Sequence, residues 1–167
     1  MRPVRIDLTR RGDYAVRAML ALAQANGDGP LSARVIAERM DVPVRFMPHV
    51  LRDLARAGLV TGQTGRSGGY QLAVKADEIT LLRILDAVES DHGTPRCVLR
   101  GGPCSVDGRC AVHAVFSSAA SALRDQLAAA SLADVARALP PTNGVALGTT
   151  VPATGGRTAR RDDLAHP

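Results

Sequence analysis

Apolar positions in the first part of the chain recur at three- and four-residue intervals, the period of a helix that buries one face. Tyr14, Ala15, Ala18, Met19 and Leu22 form the first such stripe, with Thr9 placed to cap it and Asn26-Gly27-Asp28-Gly29-Pro30 placed to stop it. Ser32 caps a short second helix running through Arg34 to Met40, and its box position holds Val35 in place of the usual Glu or Gln. Asp41-Val42-Pro43 reads as a tight turn. A third helix follows from Val44, with Phe46, Met47, Val50, Leu51 and Leu54 inward and Arg45, His49, Arg52 and Arg56 outward. Pro48 conflicts with that start, because it lacks a backbone donor and bends a helix interior, so it draws the ordered helix later. Gly58 is placed to close the helix in a left-handed cap.

The period then changes. Leu59-Val60-Thr61 and Tyr70-Gln71-Leu72-Ala73-Val74 flank the Gly-rich run from Gly62 to Gly69, which reads as a β-hairpin. Three helices and a hairpin in this order make a winged helix-turn-helix. An amphipathic helix over 79–90 carries Ile79, Leu82, Leu85, Ala87 and Val88. A Gly-, Pro- and Arg-rich loop covers about 91–110. From near Cys110 a longer helix carries Val112, Phe116, Ala119, Leu123, Gln126 or Leu127, and Ala130, an alternation suited to packing along a partner helix. One more short helix fits 131–139. From Pro140 onward no periodic apolar face remains, and a disordered tail is expected. The expected fold is therefore mainly α, a winged helix-turn-helix followed by a long dimerisation helix. Its division is 1–76 for the winged helix, 77–139 for linker helix, loop and dimer helix, and 140–167 for the tail.

Composition sharpens this picture. With two Phe, two Tyr and no Trp in 167 residues, the core must be built from aliphatic side chains, which favours packed helices. Charge is uneven. Residues 1–75 hold 12 Arg/Lys against 6 Asp/Glu, whereas residues 76–140 hold 6 against 8. A basic N-terminal half fits a polyanion-binding module, although 20 of the 21 cations are Arg, which coding bias alone can produce. Charged residues interrupt 1–17, so no signal core is expected, and no run of about 18 apolar residues suggests a membrane span. A cytoplasmic setting, where thiols stay reduced, suits the odd count of three cysteines.

In a helix-turn-helix the second helix of the pair enters the major groove. That assigns Arg45, Phe46, His49 and Arg52 to double-stranded DNA, Arg being suited to guanine edges and to phosphates. Arg66 and Ser67 sit at the hairpin tip among glycines, and a wing Arg suits a narrow minor groove. Any one of these Arg residues alone is more simply a solvated side chain; the ordered set carries the reading.

Cys97, Cys104, Cys110 and His113 fall within seventeen residues, and three thiolates plus an imidazole suffice to hold a metal centre. Zinc is one reading, but structural zinc sites usually use Cys-x2–4-Cys pairs, which are missing here. A thiol redox switch is another, with neighbouring Arg residues lowering thiol pKa values. A loop that binds nothing is the plainest. An enzyme finds little support, because no nucleophile elbow, phosphate loop or paired-carboxylate motif is present.

Asp13-Tyr14-Ala15-Val16-Arg17 resembles the helix-one motif of the IscR/NsrR (Rrf-two) family of winged-helix regulators. So do Arg56-Ala57-Gly58-Leu59-Val60, Gly65-Arg66-Ser67-Gly68-Gly69-Tyr70-Gln71-Leu72 and Ile79-Thr80-Leu81-Leu82, and the resemblance spans roughly residues 4–139. It implies a homodimer on a pseudo-palindromic operator, joined through the helix around 110–130. It also implies an iron–sulfur cluster on Cys97, Cys104 and Cys110, two-iron in first choice and four-iron as the alternative. The family spacing Cys-x5-Cys-x5-Cys-x2-His is matched except that the first interval here is x6, beside the flexible Arg100-Gly101-Gly102-Pro103. His113 is the preferred fourth ligand, one helical turn from Cys110. Asp13 is the alternative, supplied from the partner subunit as in NsrR-like members; more simply, it is an acid stabilising the first turn of its helix. The function implied is a regulator, acting as a repressor, whose operator binding responds to nitric oxide, redox state or iron–sulfur status. The alternative is a cluster-free member working through thiol redox or zinc.

Overall fold

The computed structural model describes residues 8–25, 28–65, 68–89 and 111–139. Its first helix, α1 (Arg10–Gln24), is capped by Thr9, whose hydroxyl accepts from the Gly12 amide at 3.0 Å. Helix α2 (Ala33–Arg39) is capped by Ser32, which accepts from the Val35 amide at 3.2 Å. The box therefore works in one direction only, Val35 having no side-chain acceptor to return the bond. Asp41 then takes a left-handed conformation, φ 52°, which Asp tolerates better than most residues, and the chain turns into α3.

Helix α3 spans Met47–Arg56, three residues later than a start at Val44. Pro48 occupies its second position, where the amide has no intrahelical acceptor to lose. The expectation that Phe46 packs inward is corrected: as the residue flanking the helix start it is 39% exposed. At the other end Gly58 has φ 70°, and two bonds satisfy the last carbonyls: Gly58 N to Ala55 O and Leu59 N to Leu54 O, both 3.0 Å.

Strands β1 (Val60–Gln63) and β2 (Gly69–Leu72) pair antiparallel, Val60 opposite Leu72 and Gln63 opposite Gly69. Leu31 adds a one-residue third strand by exchanging bonds of 2.9 and 2.7 Å with Tyr70. That approach needs the glycine at 69, since a Cβ there would lie 2.6 Å from the Leu31 carbonyl oxygen.

Ile79 is fully buried but precedes its helix, because Thr80 caps α4 (Leu81–Val88) by accepting from the Arg83 amide at 3.2 Å. Helix α5 (Ala111–Ala129) leads to α6 (Leu132–Ala138), capped by Ser131. The α6 start is stitched to the α4 start through Leu132 N to Ile79 O at 2.7 Å and Leu81 N to Ala130 O at 3.0 Å. One aliphatic core results, with Met19, Ile36, Met40, Met47, Leu51, Leu54, Ile79, Ile84 and Leu132 essentially inaccessible. Among the described residues, none from α5 belongs to it. Helix α5 instead leaves Val115, Phe116 and Leu123 at 67%, 47% and 36% exposure.

Candidate functional site

The outward face of α3 and the turn before it carry Arg45, His49 and Arg52, all exposed. They do not wave independently. An Arg52 guanidinium nitrogen lies 3.1 Å from His49 Nδ1. The Arg45 guanidinium sits 4.9 Å from the Phe46 ring centroid, a cation–π distance, and the other partner of Phe46 is the Tyr14 ring at 5.8 Å. Phe46 is thus wedged between a helix-one aromatic and a cation at the mouth of α3. Arg66 and Ser67 lie outside the described residues. The hairpin that would present them is in place: Gly65 and Gly68 close its turn with a 3.0 Å bond, Gly68 N to Gly65 O.

Sequence reasoning missed the contribution of α1. Its first turn faces α3 across a cavity of about 400 Å³ lined by Arg10, Arg11, Tyr14, Phe46, His49 and Arg52, with Val50 behind them. Arg11 is bonded to Asp53, which is 7% exposed and the one buried charged side chain among the described residues. Arg56 approaches the other carboxylate oxygen at 3.7 Å. A signal for this existed: Asp53 follows Val50 by three residues, so it falls on the apolar side of α3, where an acid needs a cationic partner. Arg10, exposed on the same rim, has no carboxylate partner among the described residues.

Of the candidate metal ligands, Cys97, Cys104 and Cys110 lie outside the described residues. His113 stands on the first turn of α5, half-buried, its Nε2 3.1 Å from the Ser117 hydroxyl. Asp13 is held by Arg17, whose Nε donates at 2.8 Å while a second guanidinium nitrogen donates to the Met40 carbonyl at 3.1 Å. That pair ties α1 to the end of α2, a structural use for Asp13. Among the described residues, no group of three or more His, Cys, Asp or Glu gathers as a metal site. Three thiolates and an imidazole are by their chemistry a donor set that fits a thiolate-held metal group, and His113 is the third residue of α5.

A basic helix on a winged helix-turn-helix frame defines a protein of the nucleic-acid-binding class. The family model Rrf2, "Iron-dependent Transcriptional regulator", matches residues 8–138, and the chain belongs to this family of transcriptional regulators. It is 32% identical over 132 residues to protein rrf2 of Nitratidesulfovibrio vulgaris (Hildenborough), covering 79% of this chain and 88% of that one. It is likewise 32% identical over 130 residues to the HTH-type transcriptional regulator IscR of Aliivibrio salmonicida, covering 78% and 77%. Among solved structures it is similar to CymR, the global cysteine regulator of B. subtilis, with TM-score 0.69, 26% identity, and 81% and 100% of the two chains covered. No helix among the described residues is long and apolar enough to cross a membrane.

Proposed function

We propose that this protein is a homodimeric repressor that binds a pseudo-palindromic DNA operator, under the control of an iron–sulfur cluster held by Cys97, Cys104, Cys110 and His113. The observation that carries the DNA part is the exposed basic face of Arg45, His49 and Arg52 on and before α3, beside the β1–β2 hairpin. Arg45 and Arg52 read base edges or grip phosphates, and Phe46 positions Arg45 through its ring face. Arg66 and Ser67 address the minor groove from the wing. The exposed Val115, Phe116 and Leu123 on α5 supply an apolar seam for a second copy, which sets the spacing of two α3 helices.

Such a cluster, when bound, supplies sensitivity to nitric oxide, oxidants and iron supply. The three thiolates and the imidazole would hold it, two-iron in first choice; Asp13 is the alternative fourth ligand, engaged here with Arg17. Likeness to the IscR relative supports the cluster. Likeness to a structure described as a cysteine regulator supports a second reading, a cluster-free thiol switch on the same cysteines. The test is the absorbance spectrum, iron and sulfide content of anaerobically purified protein. Matched iron and sulfide with visible absorbance, both lost in Cys104→Ala, is the expected result. Protein free of iron and sulfide, whose DNA binding follows thiol oxidation, decides for the second reading.

A further inference from the structure

The cavity between the first turn of α1 and α3 has no role in the account of α3 alone. Its rim is cationic. Arg10 is exposed and has no carboxylate partner among the described residues. Arg11 is bonded to Asp53, yet its side chain remains 48% exposed. Arg52 and His49 close the opposite side as a bonded pair. None of the described residues lining the cavity is acidic, and Asp53, the carboxylate bonded to Arg11, is buried under Arg11 and Arg56. One wall is apolar and aromatic, made by the Tyr14–Phe46 pair. At about 400 Å³ the space is far larger than one water and admits a phosphate together with its sugar.

From this we infer that the cavity is a seat for the sugar–phosphate backbone of DNA, with Arg10 as a phosphate-binding residue supplied by helix one. A backbone phosphate meets Arg10 and the Arg52–His49 edge, and the sugar lies against Tyr14 and Phe46. The occupant follows from position and charge. The cavity adjoins the exposed face of α3, so any duplex that receives α3 in its major groove brings a flanking strand past this rim. Phosphate contacts of this kind fix the orientation of a recognition helix without reading sequence. Helix one thus acts as a clamp that sets how α3 enters the groove. This inference rests on the DNA-binding reading proposed above.

The test is the salt dependence of binding by the full-length protein to two duplexes of equal length: an operator obtained by binding-site selection, and a scrambled sequence. For Arg10→Ala the expected result is a loss of about three- to tenfold on both duplexes. The slope of log affinity against log salt falls by about one, as for one lost phosphate contact. Arg10→Lys retains the slope, since a point charge suffices for a phosphate. Arg137→Ala, an equal change of charge on α6, leaves the slope unchanged. Wild-type protein with a steep slope that Arg10→Ala does not alter overturns the clamp and leaves the DNA reading standing. Wild-type protein with no salt-dependent binding to either duplex overturns the DNA reading itself. A thermal shift with inorganic phosphate that Arg10→Ala removes, while the DNA slope stays the same, assigns the cavity to a free anion and overturns the clamp.

Discussion

Asp53 shows how one side chain joins scaffold and surface. Its carboxylate is buried on the inner side of α3, where an unpaired charge would be strongly disfavoured, and Arg11 satisfies it from α1. The bond also fixes Arg11 at the rim of the cationic cavity. Removing Arg11 leaves Asp53 with only the 3.7 Å approach of the exposed Arg56. Arg11→Ala is therefore expected to destabilise the protein by about 1–2 kcal/mol, part of the full penalty being relieved by water reaching the vacated, half-exposed position. Urea unfolding measures it. A change within about 0.5 kcal/mol, the range of ordinary surface substitutions, contradicts the assigned role. Pro48 makes the complementary point. It conflicts with a helix drawn from Val44, yet costs nothing at the second position of Met47–Arg56, where no backbone bond is lost.

At the scale of elements, the caps were the most legible feature of the chain. Thr9, Ser32 and Gly58 each terminate a helix in the structure, because a hydroxyl acceptor or a left-handed glycine meets a local requirement that sequence alone specifies. The hairpin was legible for the same reason, through glycines between two short apolar runs. What sequence did not reveal was long-range. Ile79 counted as a helical position by periodicity, but the Ile79–Leu132 and Leu81–Ala130 backbone bonds keep it extended ahead of α4. Phe46 looked like a core residue by spacing, and only the later start of α3 leaves it outside. Helix α5 poses the opposite question, a long helix whose large apolar side chains remain uncovered. A second copy of α5 is the expected cover, so Phe116→Asp should convert dimer to monomer in sedimentation equilibrium with helix content retained. A monomeric wild-type protein at micromolar concentration, or a dimeric variant, contradicts that seam.

For the whole molecule, the order of three helices, hairpin and long helix was readable from period changes, and the Rrf2 membership agrees with it. The DNA-side candidates divide by kind. Arg45, His49 and Arg52 were visible because outward polar side chains alternate with buried positions along α3 and the turn before it. Arg10, Arg11 and Tyr14 were invisible as partners, because only the packing of α1 on α3 brings residues so distant in sequence to one cavity. The cysteines were conspicuous by chemistry alone, but spacing cannot distinguish a cluster from a thiol switch. His113 and Asp13 stand on α5 and α1, the helix proposed to join the dimer and the helix that lines the cavity. A ligand held by either would therefore bear directly on an element that positions α3.

In the proposed function, the cysteine-held group controls operator binding. The most direct measurement is an anaerobic titration of operator DNA at fixed salt with one protein preparation, before and after removal of the group by nitric oxide or chelation, alongside Cys104→Ala. Removal is expected to change affinity at least tenfold, and Cys104→Ala protein to behave like the stripped form and no longer respond. Equal affinity in all three states would contradict that control.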